Sequence, residues 1–143
     1  MSQRILIVCR GNLCRSPMAE ALMRHRASAL TVTSAGLAAI EGSDMDPAAR
    51  RALAAHGLDA QAHVARQVTL AAIECADVVL AMEKRHIAAL LALSPAARSK
   101  AYLLSRWSDK LDIDDPFGRP QDAFDRSCAI IASAVDAWLA KLD

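Results

Sequence analysis

The chain has few aromatic residues, almost no net charge and no long apolar run. Aromatic residues make up 3% of its 143 residues, and the formal net charge is +1. A protein that binds nucleic acid or an anionic membrane surface would show a basic excess, so both classes are disfavoured. The longest apolar stretches are too short to span a membrane, and the first residues do not resemble a signal peptide. We therefore expect a cytoplasmic protein without membrane insertion.

Cysteines are also few and widely spaced: Cys9, Cys14, Cys75 and Cys128. This spacing does not suit the disulfide framework of a small secreted protein. The Cys-x-x-Cys and His-Glu-x-x-His patterns of zinc sites are missing, so we expect no metal site. Cys75 and Cys128 lie in apolar-rich segments and are interpreted as small buried side chains.

Apolar runs alternate with segments of helical periodicity along the chain. Four runs predict short strands, at residues 5–8, 31–33, 78–80 and 101–104. Helical patterns lie between these runs and after the last one. Alternation of this kind indicates βαβ units and a parallel sheet. We therefore predict a single α/β domain over residues 1–143, a three-layer sandwich built on a four-stranded parallel sheet.

The ends of the predicted helices carry capping signals. Ser16 is placed to cap the first helix, with Pro17 at its first position, and Asp46 and Thr69 are placed to cap two later helices. The segment 105–119 is interpreted as a loop. The last helix follows this loop, and its apolar stripe is expected to face the sheet: Phe124, Ile130, Ile131, Val135, Trp138 and Leu139.

The most informative segment is 9–17, Cys-Arg-Gly-Asn-Leu-Cys-Arg-Ser-Pro, between the first predicted strand and the first predicted helix. Gly11 and Asn12 tolerate left-handed backbone geometry, so the segment can turn successive N–H groups towards an anion. The helix that follows adds positive potential. Both effects favour the thiolate form of Cys9, which is the nucleophilic form. Arg15 supplies a planar fork for two phosphate oxygens.

Two further residues fit this chemistry. Ser16 can donate a hydrogen bond to the Cys9 sulfur and stabilise it as a leaving group. Asp115 is the best candidate for a general acid, with Pro116 holding it extended. From the residues alone, an ordinary Asp-Pro turn and a surface charge at Arg15 stay open as alternatives. The patterns of nucleotide-binding loops, Gly-x4-Gly-Lys and Gly-x-Gly-x-x-Gly, do not occur here.

Residues 9–17 resemble the signature loop of the low-molecular-weight protein tyrosine phosphatases. The resemblance extends over the whole chain through Ser34-Ala35-Gly36, His63-Val64-Ala65-Arg66-Gln67, Met82-Glu83 and Asp115-Pro116-Phe117-Gly118. Residues 82–87 are most similar to bacterial members that dephosphorylate tyrosine autokinases of capsule or exopolysaccharide export. The resemblance implies a flavodoxin-like phosphatase fold, a phosphocysteine intermediate and no cofactor. It also implies a phosphotyrosine protein as partner, here a membrane tyrosine autokinase.

The resemblance further implies roles for individual residues. Cys9 is the expected nucleophile, Arg15 holds the phosphate, and Asp115 protonates the leaving tyrosine and then activates water. The other residues of the phosphate-binding loop are Arg10, Gly11, Asn12, Leu13, Cys14 and Ser16. Ser34 and His63 are expected to hold the asparagine of the loop from elsewhere in the chain. Other histidines lie in helical patterns and need no functional explanation: His25, His56 and His86.

Specificity and regulation are also indicated by the resemblance. Arg10 stands where many members carry an apolar residue, and with Phe117 it is expected to form the walls of an aromatic slot. Arg10 would favour acidic residues around the phosphotyrosine. Leu13 is bulkier than the threonine of a related branch that hydrolyses phosphoarginine, and it favours tyrosine. Cys14 matches a cysteine that can form a disulfide with Cys9 under oxidation.

Two other functions stay open. Arsenate reductases of similar fold use the same loop with two further cysteines on a mobile segment, whereas Cys75 is solitary. A non-catalytic flavodoxin-like module that binds phosphate or flavin would not need the intact set of Cys9, Arg15, Ser16 and Asp115. We expect a monomer or a weak dimer.

Overall fold

The computed structural model describes residues 3–59 and 62–142. Four strands form the sheet: β1 (Arg4–Cys9), β2 (Thr31–Gly36), β3 (Val78–Ala81) and β4 (Ala101–Leu103). Five α-helices surround it: α1 (Arg15–Arg26), α2 (Pro47–Ala55), α3 (Leu70–Cys75), α4 (Lys84–Leu93) and α5 (Gln121–Leu139). Short 3-10 helices at Pro95–Ser99 and Leu104–Trp107 precede and follow β4. Within the described residues, no helix has the length and apolar character needed to cross a membrane.

All four strands are parallel, in the order β2-β1-β3-β4. The chain moves from β1 outward to β2, crosses back over β1 to β3, and then continues outward to β4. The direction of travel therefore reverses between β1 and β3, and parallel α/β sheets bind ligands beyond the carboxyl ends of the strands at such a point. Cys9 ends β1 and Glu83 lies just after β3, so both residues flank this crevice.

β1 is buried on both faces, which explains its continuous apolar sequence. Ile5, Ile7 and Cys9 join the core beneath α1, α2 and α5, whereas Leu6 and Val8 join the core beneath α3 and α4. Successive side chains of a strand point to opposite faces of its sheet. Helices therefore cover both faces, and the predicted three-layer α/β sandwich with a four-stranded parallel sheet is confirmed.

Two of the predicted helix caps form and one does not. The side chains of Asp46 and Thr69 each accept a hydrogen bond from a backbone N–H in the first turn of their helices. Caps of this kind typically contribute about 1 kcal/mol each. Ser16 does not cap α1, because the helix begins at Arg15, Cys14 occupies the N-cap position and no side chain caps it. The Ser16 hydroxyl is directed to the Cys9 sulfur instead.

Three other expectations are wrong in detail. Ile130 is 46% exposed and does not face the sheet. It adjoins the buried Ile131, and successive helical residues cannot share one narrow face. Cys75 is exposed at the end of α3, whereas Cys128 is buried as expected. The 3-10 helix Leu104–Trp107 takes in Leu104, the last residue of the predicted fourth strand, and the first three residues of the segment 105–119 that is predicted to be a loop.

Candidate active site

The loop of residues 9–16, called the cysteine loop below, is held by segments that lie far along the chain. Three backbone N–H groups donate to its carbonyl oxygens: Leu37 to Cys9 at 3.0 Å, Ala38 to Arg10 at 2.8 Å and Asp46 to Leu13 at 3.0 Å. The loop carbonyls are thus engaged by the surrounding protein. A loop bonded in this way keeps its N–H groups available for an anion.

Gly36, the last residue of β2, lies directly against the backbone of the cysteine loop. A Cβ at Gly36 would lie 2.7 Å from the Arg10 carbonyl oxygen and 3.0 Å from the Asn12 backbone nitrogen. Glycine is therefore required at this position by the close approach of two backbones. A Cβ at Gly11 would meet only the Leu13 side chain, at 3.8 Å or more. Of the two loop residues that tolerate left-handed geometry, only Asn12 has a positive φ.

We predict that Gly36→Ala displaces the cysteine loop, because its new methyl group would overlap backbone atoms that cannot rotate away. The free energy of unfolding should fall by about 1–3 kcal/mol, as for other overpacked sites. Turnover of a phosphate ester, the activity that the sequence resemblance implies, should fall by a larger factor than stability alone explains. Thermal unfolding and hydrolysis of p-nitrophenyl phosphate measure the two effects. Gly11→Ala is the control for stability, and an equal thermal shift in both variants would contradict the prediction.

Asn12 combines a left-handed backbone, with φ of 58°, and a fully bonded side chain. Its Nδ2 donates to the hydroxyls of Ser16 and Ser34, both at 2.9 Å, and its Oδ1 accepts from the Arg66 N–H at 3.0 Å. The His63 Nε2 donates to the Asn12 carbonyl oxygen at 2.7 Å. The structure therefore brings Ser34 and His63 onto Asn12, where the resemblance placed them. Four bonds offset the cost of its conformation, about 1–2 kcal/mol.

Glu20 extends this network into α1 and was missed by the sequence analysis. The Ser34 hydroxyl donates to Glu20 Oε1 at 2.6 Å, and Glu20 Oε2 pairs with Arg24 at 2.8 Å. The only sequence signal was weak: Glu20 lies one helical turn after Ser16, so both point to the same side of α1.

The Cys9 side chain is buried, and its Sγ lies 2.9 Å from Ser16 Oγ. Either atom can donate in this contact, and when Cys9 is a thiolate the Ser16 hydroxyl is the donor. A hydroxyl donor in this position stabilises negative charge on the sulfur atom. The predicted contact between Cys9 and Ser16 is thus present.

Arg15 is 1% exposed, and only one of its three guanidinium nitrogens makes hydrogen bonds to the described part of the protein. Its Nη1 donates to Glu83 Oε2 at 2.7 Å and to the Ile113 carbonyl oxygen at 2.6 Å. Its Nε and Nη2 have no hydrogen-bond partner among the described residues, although Nη2 lies 3.5 Å from Asp115 Oδ2. A buried donor left unpaired typically costs about 1–3 kcal/mol. Two such donors on one rigid fork indicate a site for an anion.

Glu83 anchors Arg15 and was missed as a site residue. Its carboxylate also accepts from Arg85 at 2.8 Å and lies 3.5 Å from the ring of His86. Burial alone would raise the pKa of Glu83, but the hydrogen bonds and charges of Arg15 and Arg85 outweigh it and hold that pKa below its usual value. Burial lowers the pKa of His86 despite the nearby carboxylate. His86, which was thought to need no explanation, is therefore a buried neutral neighbour of this ion pair.

A pocket of about 360 Å³ opens above the cysteine loop. Arg10 and Phe117, the two predicted walls, both line it, together with Leu13. Ile40 also lines it and was missed, because its segment shows no periodicity or turn signal. Ile40 and Phe117 are more than half exposed, so the mouth of the pocket is apolar. Asp115 lies in the same wall, and its Oδ1 accepts from the Phe117 N–H at 3.1 Å.

Cys14 is buried and lines the same pocket as Cys9. Burial, followed by repulsion from Asp46, Cys9 and Asp115, raises the pKa of Cys14 far above its usual value. Cys14 is therefore a protonated thiol near pH 7 and is a poor nucleophile.

These features together define an α/β protein with a site for a tetrahedral anion beside a cysteine. The family model for low molecular weight phosphotyrosine protein phosphatases matches residues 4–143. The low molecular weight protein-tyrosine-phosphatase Wzb of Salmonella typhi is 41% identical over 143 residues, which are 100% of this chain and 96% of that protein.

Solved structures agree with this match. Vibrio vulnificus Wzb in complex with benzylphosphonate superposes with a TM-score of 0.95 at 34% identity, covering 99% of each chain. The YwlE arginine phosphatase from Geobacillus stearothermophilus superposes with a TM-score of 0.92 at 36% identity, covering 98% of this chain and 92% of that one. The chain therefore belongs to the low molecular weight phosphotyrosine protein phosphatase family and is a protein-tyrosine phosphatase. The resemblance drawn from the sequence is confirmed.

Proposed function

We propose that this protein hydrolyses phosphotyrosine in proteins through a phosphocysteine intermediate on Cys9. The observation that carries the proposal is the buried guanidinium of Arg15, which is anchored through one nitrogen and unpaired at two others. A phosphate group offers two oxygens at the spacing of this fork. Cys9 and Arg15 line the same pocket, so the attacking sulfur and the anion site are adjacent. The Cys9 sulfur is also hydrogen-bonded to the Ser16 hydroxyl.

The proposed reaction has two steps. The Cys9 thiolate attacks phosphorus in line, so that an S–P bond forms as the bond between phosphorus and the tyrosine oxygen breaks. Arg15 and the loop N–H groups hold the equatorial oxygens, and Asp115 gives its proton to the departing phenolate. Water then attacks phosphorus, Asp115 takes the proton of that water, and the S–P bond breaks with Ser16 donating to the released thiolate. Donors fixed in advance against transition-state charge supply the largest part of such catalysis.

The pocket supports tyrosine as the substrate side chain. Ile40 and Phe117 offer apolar surface at its mouth, and Leu13 lies in its wall. A flat ring fits between apolar walls better than a guanidinium, which would lose its hydration. The structure of Vibrio vulnificus Wzb holds benzylphosphonate, in which an aromatic ring is one carbon from the phosphonate. Arg10, which is exposed beside the pocket, adds a preference for acidic residues next to the phosphotyrosine.

We further infer a physiological partner, a membrane tyrosine autokinase of polysaccharide export, and a phosphatase that acts as a monomer or weak dimer in the cytoplasm. The support is the resemblance of residues 82–87 to bacterial phosphatases of that pathway, together with the whole-length likeness to Wzb of Salmonella typhi.

Turnover of p-nitrophenyl phosphate, a phosphotyrosine peptide and a phosphoarginine peptide tests the proposal. We expect hydrolysis of the first two, and mass spectrometry of acid-quenched enzyme should find one added phosphoryl group on the peptide that contains Cys9. If the phosphoarginine peptide were hydrolysed faster than the phosphotyrosine peptide, the substrate would be phosphoarginine instead of phosphotyrosine. Turnover without a phosphocysteine would contradict the intermediate.

We predict that Asp115→Asn slows hydrolysis most for substrates with a poor leaving group. General acid catalysis typically contributes about 10²–10⁴-fold, so kcat on phenyl phosphate should fall by about that factor. The loss on p-nitrophenyl phosphate should be smaller, because nitrophenolate departs without a proton. Asp114→Asn, which changes an exposed neighbouring carboxylate, is the control and should change either rate little. An equal loss on both substrates would indicate a structural role for Asp115.

We also propose that Cys14 protects Cys9 from irreversible oxidation. Peroxide converts the Cys9 thiolate to a sulfenic acid, and the Cys14 sulfur then attacks it, releases water and forms a disulfide. Burial, with smaller contributions from Asp46 and Cys9, raises the pKa of Cys14 and keeps it a thiol in the resting enzyme. Both cysteines line the same pocket, which supports their pairing.

We predict that Cys14→Ser abolishes recovery from peroxide. Wild type inactivated by peroxide should regain most of its own starting activity with dithiothreitol, whereas Cys14→Ser should not, because its sulfenic acid oxidises further. Activity towards p-nitrophenyl phosphate before and after reduction gives the recovered fraction. Equal recovery in the two proteins would remove the protective role.

A further inference from the structure

A second concave surface lies beside β4, outside the pocket of the proposed reaction. We call it the β4 groove and define it by its three cationic side chains, Lys84, Arg106 and Lys110, and two aromatic side chains, Tyr102 and Trp107. Its volume is about 430 Å³. β4 is the edge strand of the sheet, so this surface has no neighbouring strand to cover it.

The cations of the β4 groove have no acidic partner. Across residues 3–59 and 62–142, the side chains of Lys84, Arg106 and Lys110 make no ion pair and no hydrogen bond. Several carboxylates lie close in sequence, but Glu83 pairs with Arg15, Asp109 accepts from the Leu111 N–H and Asp112 accepts from the Lys84 N–H. None of these carboxylates lines the groove. The described lining of the β4 groove therefore carries three cations and no carboxylate, in a protein whose net charge is only +1.

The aromatic part of the groove is rigid and exposed. The Arg106 guanidinium lies 4.8 Å from the ring centres of both Tyr102 and Trp107. Trp107 is 40% exposed, and its ring packs edge-on against Trp138 with centres 5.8 Å apart. Stacking on two rings keeps a guanidinium extended without consuming its hydrogen-bond donors. Arg106 is thus held in place with its donors available to an incoming carboxylate.

Lys110 has an unusual backbone for a lysine. Its φ is 64°, and the only other non-glycine residue with positive φ among those described is Asn12 in the cysteine loop. The Lys110 N–H donates to the Ser105 carbonyl oxygen at 3.0 Å, which closes the 3-10 helix. Glycine is the usual residue in such a left-handed cap. Backbone strain of this kind persists mainly where function uses the side chain.

The β4 groove lies towards the same edge of the sheet as the active site, because Arg106 and Trp107 follow the carboxyl end of β4 and Cys9 ends β1. Lys84 directly follows Glu83, the anchor of Arg15. Lys110 lies in the same connecting segment as Ile113, whose carbonyl also accepts from Arg15, and as Asp115. A protein segment whose phosphotyrosine enters the pocket must continue over the protein surface, and the β4 groove lies towards the same carboxyl edge of the parallel sheet.

We propose that the β4 groove binds an acidic segment of the tyrosine-phosphorylated substrate protein while the phosphotyrosine occupies the pocket above Cys9. This inference rests on the proposed phosphatase function. The charge of the groove selects carboxylates, and the exposed part of Trp107 contacts the apolar parts of the same segment. Specificity for the substrate protein then has two sources. The pocket binds the phosphorylated side chain, and the groove binds residues of the same protein segment that lie further along its chain.

Kinetics with three substrates test the inference: p-nitrophenyl phosphate, a phosphotyrosine peptide with a run of glutamates several residues away, and the same peptide with glutamines. The glutamates are placed before the phosphotyrosine in one peptide and after it in another, so that a substrate bound in either chain direction is tested. We expect the wild type to prefer the glutamate peptide by about ten-fold in kcat/KM through a lower KM. The preference should vanish at high salt, where exposed charges are screened.

The double variant Arg106→Gln with Lys110→Gln should lose this preference and keep its rates on p-nitrophenyl phosphate and the glutamine peptide. Arg98→Gln is the matched control, because Arg98 is exposed at the opposite end of β4. Lys110→Gly removes the charge without destabilising the fold, because glycine adopts the left-handed backbone conformation without strain. This variant should unfold at a higher temperature and still prefer the glutamate peptide less than the wild type does.

Several results would overturn the inference. Equal kcat/KM for the two peptides in the wild type, or the same loss in Arg98→Gln as in the double variant, would exclude selective binding. Wild-type binding to vesicles of anionic lipid that the double variant loses would assign the groove to a membrane surface. A wild-type dimer that the double variant lacks, seen by sedimentation, would assign it to a second copy. If the protein hydrolysed no phosphotyrosine substrate, the phosphatase proposal would be contradicted. The groove could then still be tested by measuring binding of the glutamate and glutamine peptides through tryptophan fluorescence.

Discussion

Cys9→Ser should abolish turnover of p-nitrophenyl phosphate, with a loss of at least about 10⁴-fold, and should leave the fold unchanged. A hydroxyl is nearly the same size as a thiol but stays protonated near pH 7, so the attacking anion is lost. The Arg15 fork and its anchors are not altered. The variant should therefore still bind a phosphotyrosine peptide, and it should retain substrate proteins from lysate that the wild type releases.

Cys75→Ser is the matched control, because Cys75 is an exposed thiol on α3, outside the pocket. Its activity should equal that of the wild type, which would exclude a general effect of removing a thiol. Thermal unfolding of both variants checks the fold. Substantial activity in Cys9→Ser would mean that another group attacks the phosphate, and the two-step scheme would have to be abandoned.

Arg15→Lys should lower kcat on p-nitrophenyl phosphate by about 10³-fold, although the charge is kept. Removing one donor to transition-state charge typically costs about 10²–10³-fold, and lysine loses the planar fork that can serve two oxygens. A single ammonium cannot both keep the contacts with Glu83 and the Ile113 carbonyl and bridge two phosphate oxygens. The effect should appear in kcat more than in KM, because the missing donors act on the transition state.

Arg26→Lys on the same helix is the control. Arg26 lies outside the pocket, where it pairs with Asp136 at 2.9 Å and donates to the Ala132 carbonyl oxygen at 3.1 Å. Ion pairs near the surface are worth about 0–1 kcal/mol. The control should show normal kinetics and a small change in the free energy of unfolding. Recovery of near-normal kcat in Arg15→Lys would show that charge alone, without the fork, holds the phosphate.

The predictable parts of this protein are those that depend on neighbours in sequence. The continuous apolar run of β1 predicts a strand buried on both faces, and Asp46 and Thr69 predict helix starts, because a cap bonds within one turn. The cysteine loop is predictable for the same reason, since Cys9, Arg15 and Ser16 lie within eight residues of one another. Errors arose where a neighbouring residue competes for a role. Ser16 bonds the Cys9 sulfur instead of capping α1.

The sequence by itself determined the fold class and the chemistry of the loop, since local hydrogen bonding and the alternation of strands and helices dictate both. Only the tertiary structure decided what surrounds that loop. Parallel strands place their carboxyl ends at one edge, so Glu83 after β3 and Gly36 at the end of β2 meet residues that lie far away in sequence. No local pattern encodes such distant contacts. They arise from the crossovers of the chain and from close packing, which leave Arg15 anchored on one side and open to phosphate on the other.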